Sequence, residues 1–240
     1  MLVLNLGCGA KTSDLCDNLD WSILLRLKRN PLLRALASPF LRGERRERLD
    51  AISGNVILHD MRKGLPYADA SVDAVYHSHM LEHIDREYVA AFQKEVWRVL
   101  KPGGIQRICV PDLELAARRY LESLEACERN PARIGRHDAT VYTLLEQSVR
   151  REAAGTREQP PLRRWLENRL LGGARERGET HQWMYDRFNL RMIVEEAGFH
   201  SFETKSWNES DIPRWQEIGL EVIADGPEYR LESLYAECRK

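Results

Sequence analysis

Cysteine is scarce in this chain, and what there is comes unpaired. Five thiols (Cys8, Cys16, Cys109, Cys127 and Cys238) occur in 240 residues, an odd number with no CxxC spacing. That speaks against a disulfide scaffold or a zinc ribbon and fits a reducing compartment. Long apolar runs are missing too: no window approaches 18 consecutive apolar residues, so no membrane-spanning helix is expected. The opening MLVLNLGCGA has no basic leader and no signal-peptide pattern, and the expectation is a soluble, cytoplasmic protein. Net charge is nearly absent, −1 from 36 basic and 37 acidic residues, which argues against a globally basic nucleic-acid binder. Nor are aromatic and basic residues arranged as a recognisable nucleic-acid reader. Repeats and low-complexity tracts are lacking as well. Lysine is rare beside arginine, 7 against 29, a ratio that codon usage explains as readily as chemistry does.

What is present suits a single folded unit. With 43% hydrophobic and 30% charged residues, a sizeable core is affordable, and the length fits one domain, 1–240, with modest insertions. Leu2-Val3-Leu4-Asn5-Leu6 is a short apolar run that stops at a glycine turn, the form of a buried parallel strand. Asp17-Asn18-Leu19 suggests a second strand, Asn55 to His59 a third, and Val72 to Tyr76 a fourth. A helix is expected from Arg86 to Leu100, with Val89, Phe92, Val96 and Leu100 on one face, Asp85 capping it and Pro102-Gly103-Gly104 ending it. A strand follows over Ile105 to Val110, then late elements near 190–197, 202–207 and 233–238. This alternation predicts an α/β fold with a doubly wound, mostly parallel sheet.

Two stretches interrupt the cadence. Residues 21–50 hold eight basic side chains against three acidic ones, interleaved with Trp21, Leu25, Leu27 and other apolar residues, and Pro31 and Pro39 limit them to short helices. Residues 113–180 are helical in character and hold 13 Arg against 11 Asp and Glu. Both are expected to act as helical insertions that cover a site. The first also admits a second reading, as a segment lying on a membrane surface or holding a lipid-linked acceptor.

Gly7-Cys8-Gly9 closes the first strand, where a missing Cβ allows a tight turn and close approach of backbone to a ligand. A dinucleotide fingerprint would need glycine where Thr12 stands. A Walker loop fails as well, because Asn5 and Ala10 stand where it requires glycine. Asp20, ending the second strand, could accept hydrogen bonds from vicinal ribose hydroxyls. Asp60, ending the third, could bind an exocyclic amine.

With LNLGCG at 4–9, Asp20, HDMRKGLP at 59–66, SVDAVYHSHMLEH at 71–83 and RVLKPGG at 98–104, the chain resembles the class I S-adenosylmethionine-dependent methyltransferases. More narrowly, VPDLE at 110–114 and the late His181 to Asp186 segment are similar to small bacterial methyltransferases of the type 11 kind. The resemblance implies a Rossmann-like, seven-stranded sheet and S-adenosyl-L-methionine as cofactor, leaving as S-adenosyl-L-homocysteine. It implies that Gly7, Cys8 and Gly9 cradle the methionine end, Asp20 holds the ribose, Asp60 and the Met61 backbone read adenine, and His77, just past the fourth strand, contributes its backbone. The helices that usually precede the first strand are missing, so 21–50 or 113–180 must supply their cover. Such relatives are associated with surface-polysaccharide synthesis, which points to a small-molecule or glycan acceptor, anionic or lipid-linked, methylated at a hydroxyl.

Methyl transfer from a sulfonium needs alignment and exclusion of water, and a base where the acceptor is a hydroxyl. His79, His83 and His181 are the candidates, with His79 foremost. A metal held by His77, His79 and His83 is disfavoured, because Glu82 is adjacent to His83 rather than opposite it and a metal leaves the glycine turn unexplained. The alternative to an enzyme is a cofactor-binding partner or regulator without transferase activity.

Overall fold

Strand runs without polar alternation become strands covered on both faces. The computed structural model describes residues 1–41, 43–147, 160–173, 180–223 and 226–240. Val3–Leu6 (β1) has all four residues buried, and Asp17–Asp20 (β2) lies beside it. The 21–50 insertion follows as three short helices, Ile23–Arg29 (α1), Pro31–Ala37 (α2) and Glu44–Ala51 (α3). Asn30 separates the first two, its side chain accepting from the N–H groups of Leu32 and Leu33 while Pro31 takes the first helical position.

The third strand is shorter and more open than the sequence suggests. Only Ile57–Leu58 (β3) is extended, with both side chains exposed. It lies at the sheet edge and pairs with β2 alone, so Val56 carries the burial instead. Val72–Ser78 (β4) is followed by Arg86–Val99 (α4), whose Val89, Phe92, Val96 and Val99 are buried. Asp85 occupies the N-cap position without a capping side-chain bond. Pro102-Gly103-Gly104 does not end this helix; it lies inside Leu100–Pro111 (β5), twelve residues long. There Gly104 has carbonyls of Lys101 and Asp73 at 2.9 and 3.1 Å from the place of a Cβ, so the strand can start early only with glycine.

Leu113–Arg129 (α5), Ile134–Gln147 (α6) and Pro161–Leu171 (α7) form the described part of the second insertion; the remainder of 113–180, at 148–159 and 174–179, lies outside the described residues. Arg187–Glu196 (α8), His200–Lys205 (β6), Trp215–Ile218 (α9) and Ser233–Arg239 (β7) complete the chain. The seven strands run in the order β3-β2-β1-β4-β5-β7-β6. β1 to β5 are parallel and β7 is antiparallel to both neighbours. This is a doubly wound, Rossmann-like sheet, whose parallel strands deliver all their carboxyl ends to one edge.

One face of the sheet buries Leu4, Leu6, Val75 and Ile108 with side chains of α4 and α8. On the other, Val3, Tyr76 and Tyr235 pack with Ile212, Trp215 and Ile218. Arg107 of β5 is fully buried on that second face. It donates to Glu221 at 2.5 and 2.9 Å, to Glu237 at 2.8 Å, and to the carbonyls of Ser206 and Glu209. No helix among the described residues is long and apolar enough to cross a membrane.

Candidate functional site at the strand carboxyl ends

The turn after β1 uses its two glycines differently. Gly7 has φ +64° and Gly9 φ +54°, both in the left-handed region. A Cβ on Gly7 would lie 2.6 Å from Cγ of Met80, whereas nothing stands within 4 Å of one on Gly9. Gly7 therefore packs the turn onto the β4 end, and Gly9 leaves an open face for a ligand. Cys8 donates its backbone N–H to Leu19, and its side chain packs with Leu25, Ile52 and Val56. Burial pushes its thiol up to about 12, so it stays a neutral packing group.

Asp20 ends β2 with its carboxylate nearly buried. Ser22 donates to one oxygen at 2.5 Å and also caps α1. Desolvation holds the Asp20 carboxyl above its ordinary value, with the Ser22 hydroxyl pulling the other way. The Asp20 carbonyl accepts from His59, which draws the next strand end alongside. Asp60 follows β3, but its two oxygens already accept from the Arg62 fork at 2.8 and 2.9 Å, and this ion pair lowers its carboxyl. Met61 is half-buried against the main core.

The histidines separate. His77 is not past the fourth strand but inside β4, opposite Leu6 and Ile108. Its fully buried ring packs edge-on to Phe92 and meets Gln106 at 3.1 Å; burial lowers it to about 3. The period of the strand sends it inward, so His77, His79 and His83 do not converge. His79 lies one residue beyond β4 with φ +48°, its Nε2 2.8 Å from the Ser233 hydroxyl. His83 sits on the single turn Leu81–His83 before α4 and donates Nδ1–H to the Thr180 carbonyl at 3.1 Å. Desolvation lowers His79 to about 3 and His83 to about 4, leaving both neutral.

His181 reaches the same place from far along the chain. Gln182 donates its backbone N–H to the Glu82 carbonyl at 2.6 Å, and the His181 ring stands edge-on to His83 with centroids 4.9 Å apart. Next along the chain, Tyr185 is buried in the main core and Trp183 stacks on Arg86 at 3.9 Å. The residue that sequence reasoning weighed only in setting a metal aside, and gave no role, is Glu82. It is fully buried, and neither carboxylate oxygen has a hydrogen-bond partner. Burial raises it to about 8. Its only sequence signal is its place beside His83.

A cavity of about 300 Å³ opens at His79 and runs between α5 and α6. Its polar lining includes Asp112, Arg119, Arg136, Thr140 and Thr143, with Met184 and Leu231 on the apolar side. Arg119 pairs with Glu232 at its rim. The first insertion lies over the glycine turn instead. Leu27, Ala37, Leu41 and Leu49 form its small core, while Leu32, Leu33 and Leu36 of α2 stay exposed.

Residues 4–108 match the family described as a methyltransferase domain. No curated protein matches the chain. Among solved structures it is similar to an S-adenosylmethionine-dependent methyltransferase from Methanosarcina mazei, at 17% identity over 100% of this chain and 92% of that one, with a TM-score of 0.44. One from Archaeoglobus fulgidus shares 14% identity over 100% and 86%, with a TM-score of 0.42. Human N-acetylserotonin methyltransferase, solved in complex with S-adenosylmethionine, shares 14% over 100% and 47%, with a TM-score of 0.40. The segment 4–108, which matches the methyltransferase-domain family, runs from β1 into β5 and bears the glycine turn, Asp20 and Asp60 at successive strand ends.

Proposed function

We propose that the chain methylates a hydroxyl of a small polar acceptor, of the glycan or sugar-like class, seated in the cavity between α5 and α6. The observation that carries this reading is the continuity of that cavity with His79 at the β4 end, beside the turn where the cofactor's methionine end would lie. Arginines, threonines and carboxylates on its walls suit a hydroxylated or anionic molecule better than an apolar one.

The residues fit the cofactor. Gly9 leaves its Cβ position open to a ligand, and the desolvated Asp20 carboxylate, bonded by Ser22 on one side, keeps acceptor capacity for the ribose hydroxyls. Asp60 and the Met61 backbone would read adenine, with Arg62, mostly exposed, sharing or releasing the Asp60 carboxylate. His77 would contribute through its backbone alone. When bound, S-adenosyl-L-methionine supplies an electrophilic methyl group on a sulfonium. In the transfer, His79 takes the acceptor's proton as the oxygen–methyl bond forms, while α5 and α6 hold the acceptor in line and exclude water. His83 and His181 position the segment around His79.

Titration calorimetry with S-adenosyl-L-methionine tests the cofactor site. The wild type should bind, and Asp20→Ala should weaken binding by at least tenfold, the loss of one to two hydrogen bonds to a charged group. Turnover with sugar and small-molecule acceptors tests the rest. Tight cofactor binding with no turnover on any acceptor would favour a binding or regulatory role.

A further inference from the structure

Glu82 poses a problem that the methyl-transfer chemistry does not solve. A fully buried carboxylate with no hydrogen bond to either oxygen is destabilising unless a cation or a proton compensates it. The basic groups nearest its oxygens are imidazoles, with the Arg230 charge acting from farther away. His79 Nδ1 stands 3.4 Å from Oε1 and His83 Nε2 3.9 Å from the same oxygen. One ligand atom from each of Glu82, His83 and His181 lies within 4.8 Å of the others.

His83 spends Nδ1–H on the Thr180 carbonyl, which directs the lone pair of Nε2 toward Glu82, as outer hydrogen bonds do in metal sites. Gln182 ties the His181 segment to Glu82 through its backbone N–H, and its amide braces Thr180 within the segment. Ions bound through nitrogen and oxygen at about 2.0–2.2 Å hold neighbouring donors roughly 3–3.5 Å apart.

We propose that Glu82, His83 and His181 bind a single divalent transition-metal ion of the zinc and manganese class. Two imidazoles and one carboxylate are a set that leaves further coordination positions open. His79 lies between the cluster and the acceptor cavity, touching Glu82 on one side and lining the cavity on the other. An open position directed there would hold the acceptor's oxygen and ease loss of its proton. That last role rests on the methyl-transfer reading; the binding of the ion does not.

The test is to strip the full chain with a chelator and titrate Zn²⁺ or Mn²⁺ by calorimetry, then repeat with Co²⁺ and record its visible absorption. We expect one ion per chain, with d–d bands of a nitrogen- and oxygen-ligated cobalt site. His181→Ala and Glu82→Gln should each weaken binding at least tenfold. Failure of the wild type to bind one ion, or affinity unchanged in His181→Ala, overturns the proposal. His181 lies at a partly exposed position, so this variant decides the matter should Glu82→Gln fail to fold. Cofactor binding is measured on the same stripped samples. Its loss with metal binding intact would remove the methyltransferase reading alone, and the converse would remove the metal site alone.

Discussion

At the residue scale, the two glycines of the β1 turn answer to different constraints and should respond differently to the same substitution. Gly7→Ala places a methyl group 2.6 Å from Met80 Cγ on a backbone already at positive φ. Gly9→Ala meets the positive φ but no neighbour. Denaturant unfolding should therefore show a loss of about 1–2 kcal/mol for Gly9→Ala and a larger one for Gly7→Ala. Gly9→Ala should still impair cofactor binding, because its Cβ enters the face left open to a ligand. The sequence marked this turn, but it did not separate packing from binding within it. Met80 is 73 residues away and meets Gly7 only because β1 and β4 are neighbours.

At the scale of elements, the parallel strands and α4 were legible because their apolar residues recur with the right period. β3 was not, since an edge strand with exposed side chains lacks that signature. Late elements matter most through what they position. Asp186 caps α8 by accepting from Phe188 and Asn189, and Asn189 returns a bond to the Asp186 backbone. The Asp112–Tyr185 bridge joins this start to the end of β5. Asp186→Ala is expected to cost about 0.5–2 kcal/mol on thermal or denaturant unfolding. It should also weaken metal binding at the His181 site, because the segment 180–186 then loses one of its two anchors. An unfolding midpoint unchanged from the wild type would count against the cap.

At the scale of the molecule, one residue joins distant segments. Arg107 binds Glu221, Glu237 and the carbonyls of 206–209, holding the loop before α9 under the sheet. Two carboxylates facing one guanidinium leave net negative charge buried, and desolvation pushes Glu221 up to about 7. Its folded value thus exceeds the ordinary carboxylate range of about 4.3. The fold binds this proton more tightly than the unfolded chain does, so the stabilisation present below that range is lost as pH rises through 7. Arg107→Met should destabilise the chain by about 3–5 kcal/mol at neutral pH, leaving both acids unpaired. Part of that loss should return near pH 5, where Glu221 can protonate. Equal destabilisation at both pH values would show that lost packing, not charge, is responsible.

The sequence by itself determined the layered sheet, the glycine turn and the acids at successive strand ends. Each is written in local periodicity, or in a residue type that one turn or one cofactor requires. Only the tertiary structure decided which histidines meet. A period of two along β4 turned His77 into the core, and a hydrogen bond from Gln182 brought His181 to Glu82 across a hundred residues. Burial likewise made Glu82 and Arg107 consequential. Burial is a property of what packs around a side chain, and no local pattern in a single sequence records it.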